Sequence, residues 1–265
     1  MPATAAVLPE RKAQPQIRRL RTGLGTLIAI AAASHSADAA LAAVNAAYRV
    51  IARLQALLHP LAAGSDLSRI NASLKPAPVP VTAVTWSLLR LARELSTLTD
   101  GLFDPCLPTR PGRVQDLELL PDHCVVAHVP VALDFGGFAK GYAIDAAVEC
   151  LVEHGCSAGV VNAGGDLRAF GPDPCPVLLR RSDGAFDRFD LFGASLAVSD
   201  ADSLHRPTEH RGYYNRHRPQ DRLVRRYAAV LAPTAVLADA LAKCLMLCPE
   251  ATASDLLSAY AASQP

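Results

Sequence analysis

Two glycine-bearing segments of this 265-residue chain carry the residues best suited to chemistry. The first reads Asp134-Phe135-Gly136-Gly137-Phe138-Ala139-Lys140-Gly141-Tyr142, and the second Asn162-Ala163-Gly164-Gly165-Asp166. Gly136 and Gly137 let backbone approach a ligand, and Lys140 adds a point positive charge. The pattern after them predicts a helix over 142–154, closed by Gly155, whose first N–H groups have no intrahelical partner. That combination suits an anionic, phosphate-bearing ligand. Asn162 offers both a donor and an acceptor for a polar ligand edge. Asp166 either hydrogen-bonds ligand hydroxyls or caps the turn at Gly164 and Gly165, and Asp134 is expected to orient the Gly136-Gly137 loop. A Gly-x-Gly-x-x-Gly run is absent, which argues against a Rossmann dinucleotide site.

The elements that must position these residues can be read coarsely. Residues 1–17 read as a flexible lead and 18–265 as one domain. A strand is expected over 24–31 and an Ala-rich helix over 37–58, stopped by Pro60. A second helix is expected over 81–98, followed by short strands over 115–119, 124–127 and 131–134. After the 142–154 helix come strands over 158–161, 177–181, 188–191, 195–198 and 227–231, then helices over 235–248 and 251–262. Strands interleaved with helices, some in hairpins, indicate an α+β fold, and no internal repeat is found.

Composition agrees with a packed enzyme-sized domain. The chain is 51% hydrophobic, with mean hydropathy +0.19. A net charge of +1 gives no electrostatic case for nucleic acid. Arg206, Arg211, Arg216, Arg218, Arg222, Arg225 and Arg226 form a local exception, read as a solvated loop. The seven cysteines have scattered spacing and no Cys-x-x-Cys signature, which predicts reduced thiols and a cytoplasmic protein. Arg18-Arg19, the apolar run 23–33 and Ser36-Ala37-Asp38-Ala39 imitate an export signal. Cleavage there would remove the 24–31 strand, and export stays open beside the cytoplasmic reading. No stretch is expected to span a membrane.

The pair Asp-x-Gly-Gly-x-Ala-Lys-Gly-Tyr-Ala-x-Asp and Asn-Ala-Gly-Gly-Asp-x-Arg resembles the ApbE-type family of FAD:protein FMN transferases, once called thiamine-biosynthesis lipoproteins. Further pieces fall in the family's order: Arg18-Arg19-Leu20-Arg21-Thr22-Gly23-Leu24-Gly25-Thr26, similar to its first strand with a Gly-Thr pair, Ser65-Asp66-Leu67-Ser68-Arg69-Ile70-Asn71, Asp100-Gly101-Leu102-Phe103-Asp104-Pro105, and Ala232-Pro233-Thr234-Ala235 with Ala238-Asp239-Ala240-Leu241. The resemblance implies a T-fold-related domain of mixed sheets flanked by helices. It implies transfer of the FMN half of FAD to a Thr or Ser hydroxyl of a target flavoprotein, with release of AMP. It places flavin contacts at Asp104, Gly136, Gly137, Lys140, Asn162, Ala163, Gly164, Gly165 and Asp166, and Mg²⁺ on the Gly137 carbonyl and Asp239. Asp104 is equally read as a turn-former before Pro105, and Thr26 and Asp145 as structural supports.

Three departures qualify the resemblance. Lys243 stands where the family has a Thr ligand, four residues after Asp239. The two can form an ordinary helix-surface ion pair, or the ammonium can partly replace the cation and weaken metal binding. The family's Asp-Pro-x-Thr-Gly run is missing, leaving His210 as the positional candidate for the base. An aromatic residue expected before Ser65 is absent, and His59 is either a stacking substitute or a plain helix-terminating residue. Two other readings therefore stay open: hydrolysis of FAD to FMN and AMP, and a catalytically weakened flavin-binding protein.

Overall fold

The computed structural model describes residues 15–201 and 223–265. Its framework is a six-stranded antiparallel sheet built from β1 (Gln16–Gly23), β2 (Thr26–Ala33), β6 (Ala158–Ala163), β7 (Asp166–Phe170), β10 (Ser195–Asp200) and β11 (Tyr227–Ala232), ordered β1-β2-β6-β7-β10-β11. A small sheet joins β3 (Val79–Pro80), β5 (Cys124–Ala127) and β4 (Leu117–Leu120), and β8 (Cys175–Arg180) pairs β9 (Phe186–Leu191). The helices are α1 (Ala37–Leu58), α2 (Asp66–Ala72), α3 (Ala83–Leu98), α4 (Ala139–Glu153), α5 (Ala235–Leu247) and α6 (Glu250–Ala259). This is an α+β fold, as the sequence indicates.

Side-chain alternation explains the layering. On β2, Ile28, Ile30 and Ala32 join a core with α1 and α4, whereas Ala31 turns to the opposite face and packs with Val177, Leu179 and Leu191 of the β8-β9 ribbon. Val161 and Val160 on β6 divide the same way. A third core gathers α3, α5 and the small sheet around Leu89, Leu95, Phe138, Leu241 and Leu245. The site residues lie where α4 leaves one core and α5 enters the other.

Several expectations need correction. The strand expected over 24–31 is the second arm of a hairpin, since Arg18–Gly23 pair with Thr26–Ala31 across a turn in which Leu24 and Gly25 both have positive φ. Charged alternation in β1 hides this from a hydrophobicity reading. Residues 131–134 form no strand, only an isolated bridge between Leu133 and Cys106. The helix expected from Tyr142 begins at Ala139, which moves Lys140 into its first turn. The sequence reading also lacks the seven-residue α2, which is too short for a periodic signal, and β7, which follows β6 directly across the Gly164-Gly165 turn. Among the described residues, α1 is long and apolar enough to cross a membrane by length and composition. Its alanines give it that character, and nine of its residues are buried. The segment that imitates an export signal supplies β2, an interior strand paired on both sides.

The α2 segment is a bracket. Asp66 is 1% exposed, and its Oδ2 accepts hydrogen bonds from Thr82 N–H at 2.8 Å, Thr82 Oγ1 at 2.7 Å and Thr85 Oγ1 at 2.7 Å, while Oδ1 pairs with Arg69. Asn71 holds both backbone groups of Leu133, donating to its carbonyl at 3.0 Å and accepting from its N–H at 2.7 Å. Burial works to raise the Asp66 pKa, but the hydrogen bonds from Thr85, Thr82 and Arg69 outweigh it and hold the carboxyl below its ordinary 3.8. A group depressed in the folded state contributes stability above its unfolded pKa and loses it as pH falls. Asp66→Asn should therefore cost about 1.5–3 kcal/mol near neutral pH, the worth of a charge-assisted hydrogen bond, and that cost should shrink below about pH 4. Urea denaturation of both proteins across that range checks this.

Candidate functional site

The loop before α4 is built on a rigid floor. Phe135 and Phe138 are 1% exposed and their rings lie 4.9 Å apart, with Phe103 5.8 Å from Phe138. Asp134 Oδ1 accepts the Gly136 N–H at 2.7 Å, the orienting role expected of it. The Asp134 N–H donates to the Pro105 carbonyl at 2.9 Å, which docks the Asp104 turn beside the loop. Asp104 Oδ1 accepts from Cys106 N–H at 2.9 Å and Val114 N–H at 3.2 Å, so the turn-forming reading of Asp104 is seen directly. Phe138, the residue before α4, gives the helix no side-chain cap of its own.

The second glycine segment is the β6-β7 turn. Gly164 and Gly165 have φ of 66° and 108°, and a Cβ on Gly164 would sit 2.5 Å from Thr26 Oγ1, so glycine is required there. Asn162 Oδ1 accepts the Gly165 N–H at 3.0 Å, which commits its acceptor to the turn. Asp166 is 2% exposed; its Oδ1 accepts the Val198 N–H at 3.1 Å and its Oδ2 pairs with Lys140. Asp166 thus holds Lys140 rather than standing open to a ligand hydroxyl. The ion pair joins the two glycine segments, with Ala163 buried behind them.

Asp239 comes to this place from α5. It is fully buried and Lys243 is 7% exposed, so their pairing is no helix-surface contact. The Lys243 ammonium bonds Asp239 Oδ1 and, at 3.0 Å, the Asp239 main-chain carbonyl. Asp239 Oδ2 accepts the Gly141 N–H at 3.0 Å, placing a carboxylate at the N-terminus of α4. Burial pushes the Asp239 pKa up, but Lys140, Lys243 and the Gly141 amide overcome it and hold the carboxyl below the ordinary range. Asp145 supports the arrangement from below: its two oxygens accept the Ala235 and Val236 N–H groups at 2.8 Å, capping α5, and it pairs with Arg168 at 2.7 Å.

A cleft of roughly 170 Å³ opens beside these charges, lined by Leu24, Leu54, Leu58 and Phe135 on its apolar side and by Gln55, His59, Asp134, Gly136 and Lys140. His59 Nδ1 accepts the Leu61 N–H at 3.1 Å, so it both ends α1 and faces the cleft. Gln55, which sequence reasoning missed, accepts the Leu24 N–H at 2.7 Å and fastens the β1-β2 turn to the cleft wall. Its one signal was its place a turn before His59. His210 and the arginines from 206 to 222 lie outside the described residues. Arg225 is described: it pairs with Glu250 and donates to the Leu245 carbonyl at 3.3 Å.

The Mg²⁺ expected on Gly137 and Asp239 does not fit this donor set. Both Asp239 oxygens are engaged, and the Lys243 side chain runs from Gly137, where a Cβ would lie 3.7 Å from its Cδ, to Asp239. The described residues contain no group of three or more His, Cys, Asp or Glu side chains that could hold a metal ion.

A buried charge cluster at the start of α4 thus lies beside a half-apolar cleft on an antiparallel α+β frame. The sequence profile of the ApbE family matches residues 24–109 and 110–263, and the chain belongs to that family. Solved structures agree on the fold. The flavinyl transferase ApbE of Pseudomonas stutzeri, in its apo form, superposes with a TM-score of 0.80 at 20% identity, covering 96% of this chain and 92% of that one. The flavin transferase ApbE of Vibrio cholerae gives 0.77 at 18%, covering 94% and 92%. The ApbE protein of Thermotoga maritima gives 0.79 at 22%, covering 92% of each. No curated protein matches.

The α4-α5 crossing is the tightest point of the site. A Cβ on Gly141 would sit 2.2 Å from the Ala235 carbonyl oxygen. Gly141→Ala should force the helices apart, lower stability by about 1–3 kcal/mol and loosen the Asp239 contact. Thermal denaturation checks the first effect, and FAD affinity of the folded fraction the second.

Proposed function

We propose that this protein transfers the FMN half of FAD to a Thr or Ser hydroxyl of a target flavoprotein, releasing AMP. Membership of the ApbE family supports the reading, as do structural neighbours named as flavin transferases. The observation that carries it is a cleft with one apolar wall, lined at its polar end by Gly136, Lys140 and the start of α4, with Lys243 packed next to the neighbouring Gly137. A planar apolar ring suits that wall, and a pyrophosphate suits the charged end.

In the transfer, the acceptor hydroxyl oxygen bonds to the phosphorus of the FMN half. The pyrophosphate P–O bond breaks, AMP leaves with the bonding electrons, and the hydroxyl proton is released. Such reactions depend on positioning and on neutralising charge, which falls here to main-chain N–H groups and the two lysines. His210 is the residue we assign as base. The seven free thiols, all but Cys124 buried, support a reducing compartment such as the cytoplasm.

The test is incubation with FAD and an acceptor domain, following AMP by chromatography and the acceptor by mass spectrometry. Transfer predicts AMP together with an FMN-sized mass increase on the acceptor. AMP and free FMN without an acceptor would make the protein a hydrolase, and FAD binding with neither product would make it a flavin binder. Lys140→Ala should lower turnover by about 10-fold or more by removing one charge from the cradle.

A further inference from the structure

We propose that Lys243 is a built-in cation, occupying the place between Gly137 and Asp239 where the family resemblance puts Mg²⁺, so that this site binds a pyrophosphate without a divalent ion. The inference rests on the flavin-transfer reading for its ligand, but the closure of the metal site stands on geometry alone. Four charged side chains meet here. Lys140 is held by Asp166 and Lys243 by Asp239, and Lys140 also acts electrostatically on Asp239. A primary ammonium has three N–H donors. Among the described residues Lys243 makes two hydrogen bonds, both to Asp239, and its side chain is 9% exposed. One donor thus remains, on a charge that is nine-tenths buried and lies beside the Gly137 loop.

A dication placed on Asp239 would have to displace this ammonium or sit against it. Mg²⁺ completes its octahedral shell with waters and substrate phosphates but needs a carboxylate to hold it, and the one carboxylate here is committed to the Gly141 N–H and the Lys243 ammonium. The substitution has a further consequence. An Asp with Mg²⁺ presents a net charge of +1, whereas Asp239 with Lys243 presents none. The cradle is therefore less positive, and it leans more on the N-terminus of α4 and the remaining N–H donor.

Mn²⁺ is the probe, followed by electron paramagnetic resonance with no nucleotide present. The wild-type protein should leave the free Mn²⁺ signal undiminished, and Lys243→Thr should gain one bound ion per chain that Lys243→Thr with Asp239→Asn loses. FAD affinity, read by fluorescence, should agree within about twofold between Mg²⁺ and EDTA for the wild type, and should rise about tenfold with Mg²⁺ in Lys243→Thr. Mn²⁺ bound by the wild type and lost in Asp239→Asn would overturn the proposal, as would a folded Lys243→Thr that gains no ion. Lys243→Ser repeats the test if the Thr variant fails to fold, and the wild-type arm decides on its own if both fail. Should FAD not bind at all, the flavin-transfer reading falls while the Mn²⁺ arm still decides whether Lys243 closes the site.

Discussion

The crossing of α4 over α5 is the constraint on which the site depends. At that point Asp239 is buried completely, and it stays ionised because the Gly141 amide and the Lys243 ammonium meet its two oxygens. A buried charge pair of this kind is weak evidence of stability, since desolvation offsets most of the attraction, but losing one partner leaves an uncompensated charge. Its value here is positional. It sets the rotation of α5 against the first turn of α4, and the absence of a side chain at Gly141 lets the helices approach closely enough for the contact. Asp145 and Arg168 fix the same crossing from the sheet side, through the first N–H groups of α5.

From that crossing the remaining parts fall into place. Lys140 leaves the first turn of α4 toward Asp166, which ties the helix to the β6-β7 turn, and Val198 on β10 secures Asp166 in turn. On the other side, Asn71 grips Leu133 and the Phe103, Phe135 and Phe138 rings floor the loop. The two glycines of that loop therefore sit on a support locked at both ends. Preorganisation of this sort is what a phosphoryl-transfer site needs, because donors already in place require no rearrangement as charge develops.

Much of this was legible in the sequence, for identifiable reasons. The long helices α1 and α3 announce themselves through apolar periodicity and Pro or Asp-Gly stops, and the glycine segments through the backbone freedom they require. What stayed hidden follows from contacts between distant residues. The resemblance marks the residues from Arg18 to Thr26 as one strand, but nothing local shows the hairpin there, since the pairing of β1 with β2 is tertiary, and nothing about Asp66 or Asn71 reveals that they hold α3 and Leu133. Asp104 was open between ligand contact and turn-forming, and its main-chain partners show the turn; Asp166 was open between ligand contact and capping the Gly164-Gly165 turn, and it instead binds the Val198 N–H and the Lys140 ammonium. The departure at Lys243 was readable, and the apolar stretch around it already argued against a surface pair; packing adds that both residues are buried and that Lys243 passes Gly137.

The phosphate cradle we propose consists of the Gly136-Gly137 loop, the start of α4 and the two lysines, with the Lys243 ammonium in the place of an ion. A crystal structure of the FAD complex, grown with Mg²⁺ present, tests it most directly. The expected result is the pyrophosphate against Gly137, Lys140 and Lys243, with the Lys243–Asp239 pair intact and no metal density on Asp239. A pyrophosphate bound elsewhere, or Lys243 swung aside with a metal ion on Asp239, would contradict it.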